Sequence, residues 1–407
     1  MNSPYARLAT PAGAALLAAI AGFAEAQLPA AARVARSMAD AELAAAALST
    51  VFARRRAAAA HKFTRAHAMF FTRDGYQQST SESVARHRGA RFAAHARVAD
   101  LCSGIGGDTI GIAASLGDGA RVEAVDLDPD ALACARHNAE VYDVAQKAVF
   151  HEGDALRRTL QGCDAAFADP SRRSGSSRAT RASEYRPPLA AVLARAHELP
   201  GRSLAVKIAP GLRVSDAALQ DTCGAPVELE YVSERGECKE AVVWCGDLAR
   251  FHGARRATVV TAHGVHTLDA TPSDDAPLST LRRWLGEFDP AVIRSGLIAP
   301  LCEQLRAAVL DRRIAYCTSD RDAPTPFVRW YEVIEEQPFG VKRLRAWIRA
   351  ARIGELIVKT RAFPLRPEQI ATLLKPRGDE RAVLVCTTIG SVKTAILCRV
   401  PHEPLQT

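Results

Sequence analysis

Residues 98–109 read VADLCSGIGGDT, an apolar run that ends in a cluster of Gly104, Gly106 and Gly107. A buried strand that must turn sharply and let a ligand approach its backbone reads this way, because glycine takes up positive φ at no steric cost. The neighbouring segments complete a repeating unit. RVADLC predicts a strand and DTIGIAASL (108–116) a helix, and RVEAVDLD (121–128) with DALACARHNAEVY (130–142) repeats the pair. KAVFHEGD (147–154) and CDAAFADP (163–170) read as third and fourth strands, LAAVLARAHEL (189–199) as a helix and SLAVKIAP (203–210) as a fifth strand. Strands alternating with helices imply right-handed crossovers and a mostly parallel, doubly wound α/β sheet of the Rossmann-like kind. VELEYVSER and EAVVWCG follow with no obvious helix between them and suit an antiparallel hairpin at one sheet edge.

On either side the pattern changes. Residues 1–95, rich in Ala, Arg and Leu, predict a helical region with breaks at Leu28-Pro29 and at Thr72-Arg73-Asp74-Gly75. The alternating unit occupies 96–250. Residues 251–285 read as a connecting segment, a short strand (RRATVVTA) followed by a polar loop (TPSDDAPLST). Residues 286–407 predict a smaller α+β domain, with helices in AVIRSGLIAPLCEQL and VKRLRAWIRAA and strands in ELIVKT, AVLVCTTI and TAILCRV.

With 48% hydrophobic and 24% charged residues, the chain is globular rather than disordered. A net charge of +8 favours an anionic partner such as nucleic acid without demanding one. None of the ten cysteines stands in CxxC spacing, so no metal site is indicated and buried, reduced thiols are expected. TPAGAALLAAIAGFAEA (10–26) has the apolar middle and Ala-x-Ala-like end of a signal peptide. However, only Arg7 precedes it, it is too short to span a bilayer, and Thr10-Pro11 reads as a helix cap and first helical residue. The expectation is a cytoplasmic protein with no membrane segment.

Ligands of doubly wound sheets bind outside the carboxyl ends of the strands. Four ends here carry fitting chemistry. The first is Asp100-Leu101-Cys102-Ser103-Gly104-Ile105-Gly106-Gly107. The second ends in Asp126 and Leu127, where a carboxylate can take both hydroxyls of a ribose. The third ends in Asp154 and Ala155, within reach of an adenine amino group, and the fourth in Asp169-Pro170-Ser171-Arg172-Arg173. Each Asp alone is also what a cap or turn requires; their recurrence at successive strand ends makes the signal. Two cofactors compete for such a site. A dinucleotide wants GxGxxG, but Thr109 stands at the third glycine's place. Asp108 also sets a negative charge at the helix N-terminus, where a pyrophosphate would sit. S-adenosylmethionine carries no phosphate, and its sulfonium and ammonium suit Asp100, so it is the better fit.

At these residues the chain resembles the class I S-adenosylmethionine-dependent methyltransferases. DLCSGIGGDTIGIA, VEAVDLDPDALACARHNAEVY and HEGDAL look like RNA-cap trimethylguanosine synthases, and GYQQSTSESVARHRGARF (75–92) looks like the segment before their first strand. DPSRR, VKIAPGL, SERGECKEAVVWCG, AYCTSD and TPFVRWYEVIEEQPFGVKRLRAWIR resemble a bacterial methyltransferase family with a THUMP-like C-terminal domain. The resemblance implies a cofactor loop at Asp100, Cys102, Gly104 and Gly106. It places Asp126 with Leu127 at the ribose, Asp154 with Ala155 at the adenine, and Asp169 with Pro170 at the methyl-transfer site. Thr80 would meet the cofactor's amino-acid end. Cys102 stands where many members have their first glycine.

The resemblance departs at the fourth strand end. Amino-methylating members follow the Asp, Asn or Ser with Pro-Pro and an aromatic residue, whereas Ser171-Arg172-Arg173 follows Pro170 here. Either Arg172 or Arg173 replaces the aromatic by stacking or phosphate binding, or the target is not a base amine, or the pair is a solvated turn. Lys207, in VKIAP, either positions an anionic substrate or pairs with Asp169. The polar, basic segment 172–188 is long for a crossover loop and suits a substrate lid.

In the C-terminal domain Lys342, Arg345, Arg349 and Arg352 recur at helical spacing, with Trp330, Tyr331 and Trp347 close in sequence. Arg345 and Arg349 are the candidate RNA contacts, since basic residues interleaved with aromatics suit looped or single-stranded RNA. The alternative is a solvated helix face with Trp347 in the core. Three functions stay open. One is an RNA methyltransferase, for which the resemblance favours N2 of guanine. Another is a methyltransferase of a small molecule or protein. The third is a non-catalytic RNA-binding protein whose methyltransferase fold senses the cofactor.

Overall fold

The computed structural model describes residues 3–172, 184–251 and 253–400. Its N-terminal helices begin where the caps say they should. Ser3 caps α1 (Pro4–Leu8), and Thr10 caps α2 (Pro11–Ile20), its hydroxyl accepting from Gly13 N–H at 3.3 Å ahead of Pro11. The signal-peptide-like stretch is therefore a helix of the fold, with Leu16, Leu17 and Ile20 buried in the core. α3 (Leu28–Met38) starts at the first expected break, and Asp40 caps α4 (Ala41–Ala59) by accepting from Leu43 N–H at 3.0 Å. The second expected break holds the short α5 (Gly75–Gln78), followed by α6 (Glu82–Gly89).

The alternating unit then runs β1 (Arg97–Leu101), α7 (Gly107–Ser115), β2 (Arg121–Asp126), α8 (Pro129–Val141), β3 (Ala148–Glu152) and β4 (Ala165–Ala168). A two-stranded pair, β5 (Ser171–Arg172) and β6 (Tyr185–Arg186), precedes α9 (Leu189–Ala194), β7 (Leu204–Ile208) and α10 (Asp216–Cys223). The hairpin β8 (Val227–Glu234) and β9 (Glu237–Cys245) closes the series. The strands lie in the order β9-β7-β4-β1-β2-β3. All are parallel except β9, which runs antiparallel to β7 and sets Val242 opposite Lys207. The chain builds outward from β1 through β2 to β3, then returns to β4 on β1's other side. The order thus reverses between β1 and β4, the place where such sheets open a ligand crevice at their carboxyl ends. α6 crosses α7 at Gly89 and Gly111, where a Cβ on either would strike the other helix's backbone. That close approach fixes the residues before β1 against the helix that follows it.

The chain divides into two compact units, 1–228 with 241–253, and 229–240 with 254–407, the boundary passing through the β8–β9 hairpin. In the second unit the segment read as a connection holds a strand pair, β10 (Arg255–Thr261) and β11 (Gly264–Ala270), with β10 parallel to β8. β10 is the short strand read in RRATVVTA, with Arg256–Val260 buried, whereas β11 falls in a stretch that reads as part of the connection. A second sheet follows, with β12 (Trp284–Phe288), α11 (Pro290–Ser295), α12 (Ile298–Leu305), β13 (Ala308–Val309) and β14 (Tyr316–Ser319). It continues through β15 (Val328–Pro338), α13 (Val341–Ala350), β16 (Ile353–Arg361), α14 (Pro367–Leu374), β17 (Glu380–Ile389) and β18 (Val392–Arg399). Its order is β13-β14-β12-β15-β18-β17-β16, and Leu344 and Ile348 of α13 pack with Ile370, Leu374 and Leu384 beneath it. All ten cysteines are free thiols, eight of them buried.

Candidate active site

The loop after β1 is left-handed at three positions: Cys102 (φ 68), Gly104 (φ 54) and Gly106 (φ 85). At Gly106 a Cβ would also lie 3.1 Å from that of Ala135. Cys102 therefore adopts, at a cost in strain, a conformation that glycine takes up freely. Its thiol is pushed well above the ordinary range by burial and by the surrounding carboxylates, so it stays protonated. The N–H groups of Cys102 and Ser103 donate to Val125 O at 2.9 and 3.0 Å, and Gly104 N–H to Asp126 Oδ2 at 2.7 Å. The glycine loop is thus tied to the end of β2.

Two buried polar atoms on this loop, Asp100 Oδ1 and Ser103 Oγ, have no hydrogen-bond partner among the described residues. Asp100 Oδ2 accepts from Thr109, the residue that takes the third glycine's place. Burial first, and then the charge of Asp108, push the Asp100 carboxyl up to about 8. A buried acceptor left open is costly unless a ligand meets it, and a cationic ammonium group fits that demand. The polar edge of Asp126 is partly spent: Oδ1 accepts from Asp128 N–H at 2.9 Å. Burial raises its carboxyl also. Each oxygen of Asp126 keeps a further lone pair for a hydroxyl. Beside it Leu127 is 70% exposed, an apolar surface at a strand end that otherwise carries charge. Asp154 Oδ1 accepts from Leu156 N–H at 2.8 Å, while Ala155 is buried and its carbonyl accepts from Arg195.

At the end of β4 Asp169 is half-buried and Pro170 buried. Lys207 Nζ, from β7, donates to Asp169 Oδ2 at 2.6 Å, so of the two roles weighed for Lys207 the structure displays the pairing. Thr80 is adjacent, but its hydroxyl is engaged by protein on both sides: it donates to Asp108 Oδ2 at 2.9 Å and accepts from Lys207 at 3.1 Å. Asp108 is in turn paired with the buried Arg88, whose guanidinium lies 4.5 Å over the Phe167 ring. Arg172 sits in β5 opposite Tyr185, whose hydroxyl is buried and accepts from Ala209 N–H at 2.7 Å. Arg173 and most of the segment read as a lid lie outside the described residues.

Two contributors escaped the sequence reading. Arg88 carries no local signal in SVARHRG. Asn138 does carry one: it is a poor helix former in mid-helix, and it is fully buried. Its side chain accepts from Phe70 N–H at 2.7 Å and donates to Phe70 O and Ile105 O at 3.0 Å each, clamping the N-terminal region to the glycine loop.

The basic series of the second unit is less uniform than its spacing predicts. Lys342, Arg345 and Arg349 lie exposed on α13, but Arg352 falls beyond the helix at φ 52 and pairs with Asp379. The helix stops at Ala350, so its periodicity does not carry to Arg352. Arg345 Nε donates to Leu373 O at 2.8 Å. Lys359 pairs with Glu287, and Arg381 with Glu355. Trp330 donates to Ala323 O, Tyr331 is buried with its hydroxyl on Glu287, and Trp347 packs against the α13 core. These aromatics are structural members of the sheet and its helix layer.

A reversing parallel sheet with a glycine loop, a carboxylate at each of four strand ends and open buried acceptors defines a nucleotide-cofactor α/β enzyme fold of the methyltransferase class. Residues 95–181 match the RNA cap guanine-N2 methyltransferase family model, and 328–400 the THUMP domain-like model. Two similar relatives, from two strains of Mycobacterium tuberculosis, are named as uncharacterized S-adenosylmethionine-dependent methyltransferases. Each is 32% identical over 333 residues, 81% of this chain and 88% of the relative. A methyltransferase crystal structure from Porphyromonas gingivalis W83 shares the fold, with TM-score 0.72 over 94% of this chain and all of the other, at 19% identity. The chain belongs to the family of S-adenosylmethionine-dependent methyltransferases, and S-adenosylmethionine is its cofactor.

Proposed function

We propose that this methyltransferase acts on RNA, with the exocyclic N2 amine of guanine as acceptor. The observation that supports this most strongly is the extent of the RNA cap guanine-N2 family match, which takes in all four strand ends: Asp100, Asp126, Asp154 and Asp169. The THUMP-like match and the exposed cations of α13 add a basic surface in the second unit.

In this reading Asp100 and Ser103 take the ammonium and amino-acid end of the cofactor, Asp126 with Leu127 the ribose, and Asp154 with Ala155 the adenine. The cofactor supplies an already activated methyl group. What the protein must add is alignment and charge compensation. Asp169 accepts a hydrogen bond from the target amine, points its lone pair at the methyl carbon and offsets the positive charge that grows on nitrogen. The N–C bond would form as the S–C bond breaks, leaving the demethylated thioether, and the proton released from the amine would pass to the Asp169 carboxylate that accepts its hydrogen bond. Lys207 holds the Asp169 carboxylate in one place, leaving Oδ1 for the substrate. Arg172 or Arg173 is the candidate replacement for the missing aromatic, by stacking on a base or binding phosphate.

The test is transfer of a labelled methyl group into fractions prepared from cells lacking the gene. The expected result is label in RNA, recovered in one methylated guanosine. Label in protein or small molecules instead would replace the RNA reading. Tight cofactor binding with no transfer to any fraction would favour a sensor.

A further inference from the structure

Thr80, which the resemblance sets at the cofactor's amino-acid end, has two protein partners on its hydroxyl. It is buried, and its hydroxyl is held between Asp108 and Lys207. We propose that Thr80 is a positioning residue for the methyl-transfer site: its hydroxyl fixes Lys207 on Asp169 by linking Lys207 to the Asp108–Arg88 pair. The inference rests on the reading of Asp169 as the group that meets the acceptor.

The direction of each hydrogen bond follows from proton counting. An ammonium group only donates and a carboxylate only accepts. A hydroxyl between them has one proton, so it must give that proton to Asp108 and offer a lone pair to Lys207. The arrangement runs Arg88–Asp108–Thr80–Lys207–Asp169, with Thr80 to Asp108 at 2.9 Å, Lys207 to Thr80 at 3.1 Å and Lys207 to Asp169 at 2.6 Å. The side chains of Arg88, Asp108 and Lys207 are only 1%, 9% and 10% exposed, so solvent cannot readily substitute for a lost partner. Asp169 alone opens outward, at 26%. Elements far apart in sequence meet in this chain of contacts: α6 and the turn before it bring Arg88 and Thr80, α7 brings Asp108, the end of β4 Asp169, and β7 Lys207. The close crossing of α6 and α7 at Gly89 and Gly111 keeps Thr80 and Asp108 in register. Lys207 is thereby held from two sides, and a carboxylate paired to a fixed ammonium is itself fixed. That is the condition for aligning an amine with a methyl group, because small displacements at a reacting centre are expensive in rate.

Thr80→Val keeps the shape and removes the lone pair; Thr80→Ser keeps the lone pair. The full-length variants are compared by three measurements. Calorimetry gives S-adenosylmethionine affinity. Peptide mass spectrometry follows amine labelling of Lys207. Labelled-methyl transfer gives kcat on RNA from cells lacking the gene. For Thr80→Val we expect Lys207 to label at least about tenfold faster and kcat to fall about tenfold, the scale of one hydrogen bond to a charged group, with cofactor affinity within about twofold. Thr80→Ser restores slow labelling and turnover. Cofactor affinity reduced about tenfold in Thr80→Val, with Lys207 labelling unchanged, would overturn the proposal and place Thr80 at the cofactor. If the unaltered protein transfers nothing to RNA, the RNA reading fails, and the labelling and calorimetry still decide the role of Thr80.

Discussion

The strand ends of the first unit and the basic helix of the second both looked like ligand surfaces, yet they use their polar groups differently. At the strand ends, Asp100 and Ser103 keep buried atoms without partners, and the glycine loop is tied down by backbone bonds to Val125 and Asp126. In the second unit, Arg345, Arg352, Lys359 and Arg381 are spent on Leu373 O, Asp379, Glu287 and Glu355. Its aromatics hold the sheet together. On α13, Lys342, Arg343 and Arg349 are exposed and have neither an ion pair nor a side-chain hydrogen bond among the described residues. Buried, open acceptors demand one ligand in one pose, whereas exposed cations hold any polyanion loosely. Single substitutions are accordingly expected to abolish function in the first unit and to grade it in the second.

The sharpest way to break that contrast is Asp169→Ala. Methyl transfer should fall about a hundredfold or more, the scale of losing a charge-stabilising group at a reacting centre, while calorimetry shows cofactor affinity retained. Asp126→Ala should instead weaken S-adenosylmethionine by about ten- to a hundredfold, as expected for hydrogen bonds to a charged group; undiminished affinity would remove the ribose assignment.

A third prediction concerns pH. Burial holds the Asp100 carboxyl near 8, so at pH 7 it is mostly protonated in the free protein. An ammonium group beside it favours the carboxylate, and cofactor binding should release a proton. The sign follows: affinity rises with pH up to about 8 and falls below it, by as much as about tenfold per pH unit. Binding enthalpies at pH 7 should differ between buffers with different ionisation heats. Equal enthalpies would mean that Asp100 does not ionise on binding.

The smallest effects belong to the second unit. Lys342→Gln and Arg349→Gln should each weaken RNA binding a few-fold, uniformly across sequences, and lower the salt slope by about 0.7 per lost contact. Tyr331→Phe should leave RNA affinity unchanged while costing about 1 kcal/mol of stability for the lost bond to Glu287. A larger effect of Tyr331→Phe on RNA than of Arg349→Gln would reverse the assignment of that surface.

Much of this was legible in the chain because periodicity and glycine punctuation are local signals. Each βα pair announced itself, and Thr10-Pro11 was enough to turn a signal-like stretch into a capped helix. Gly104 and Gly106 were legible for the same reason: positive φ is a property of single residues. Long-range pairing was not legible. Nothing in SVARHRG tells that Arg88 meets Asp108, or that Thr80 and Lys207, 127 residues apart, share a hydrogen bond. Helical spacing extended to Arg352 failed because the helix ends two residues earlier, at Ala350. Of the strand pair at 255–270, the first was legible in RRATVVTA, whereas the second, Gly264–Ala270, was not, because it is largely solvent-exposed and mixes Gly, His, Thr and Asp with its apolar residues.

The central claim is that the strand-end cluster, through Asp169, delivers a methyl group to RNA. Mass spectrometry of total-RNA nucleosides from cells with the gene, without it, and complemented with Asp169→Ala tests it most directly. The account predicts one methylated guanosine that disappears with the gene, returns with the intact protein and does not return with Asp169→Ala. An unchanged nucleoside profile on deletion, or full restoration by Asp169→Ala, would contradict it.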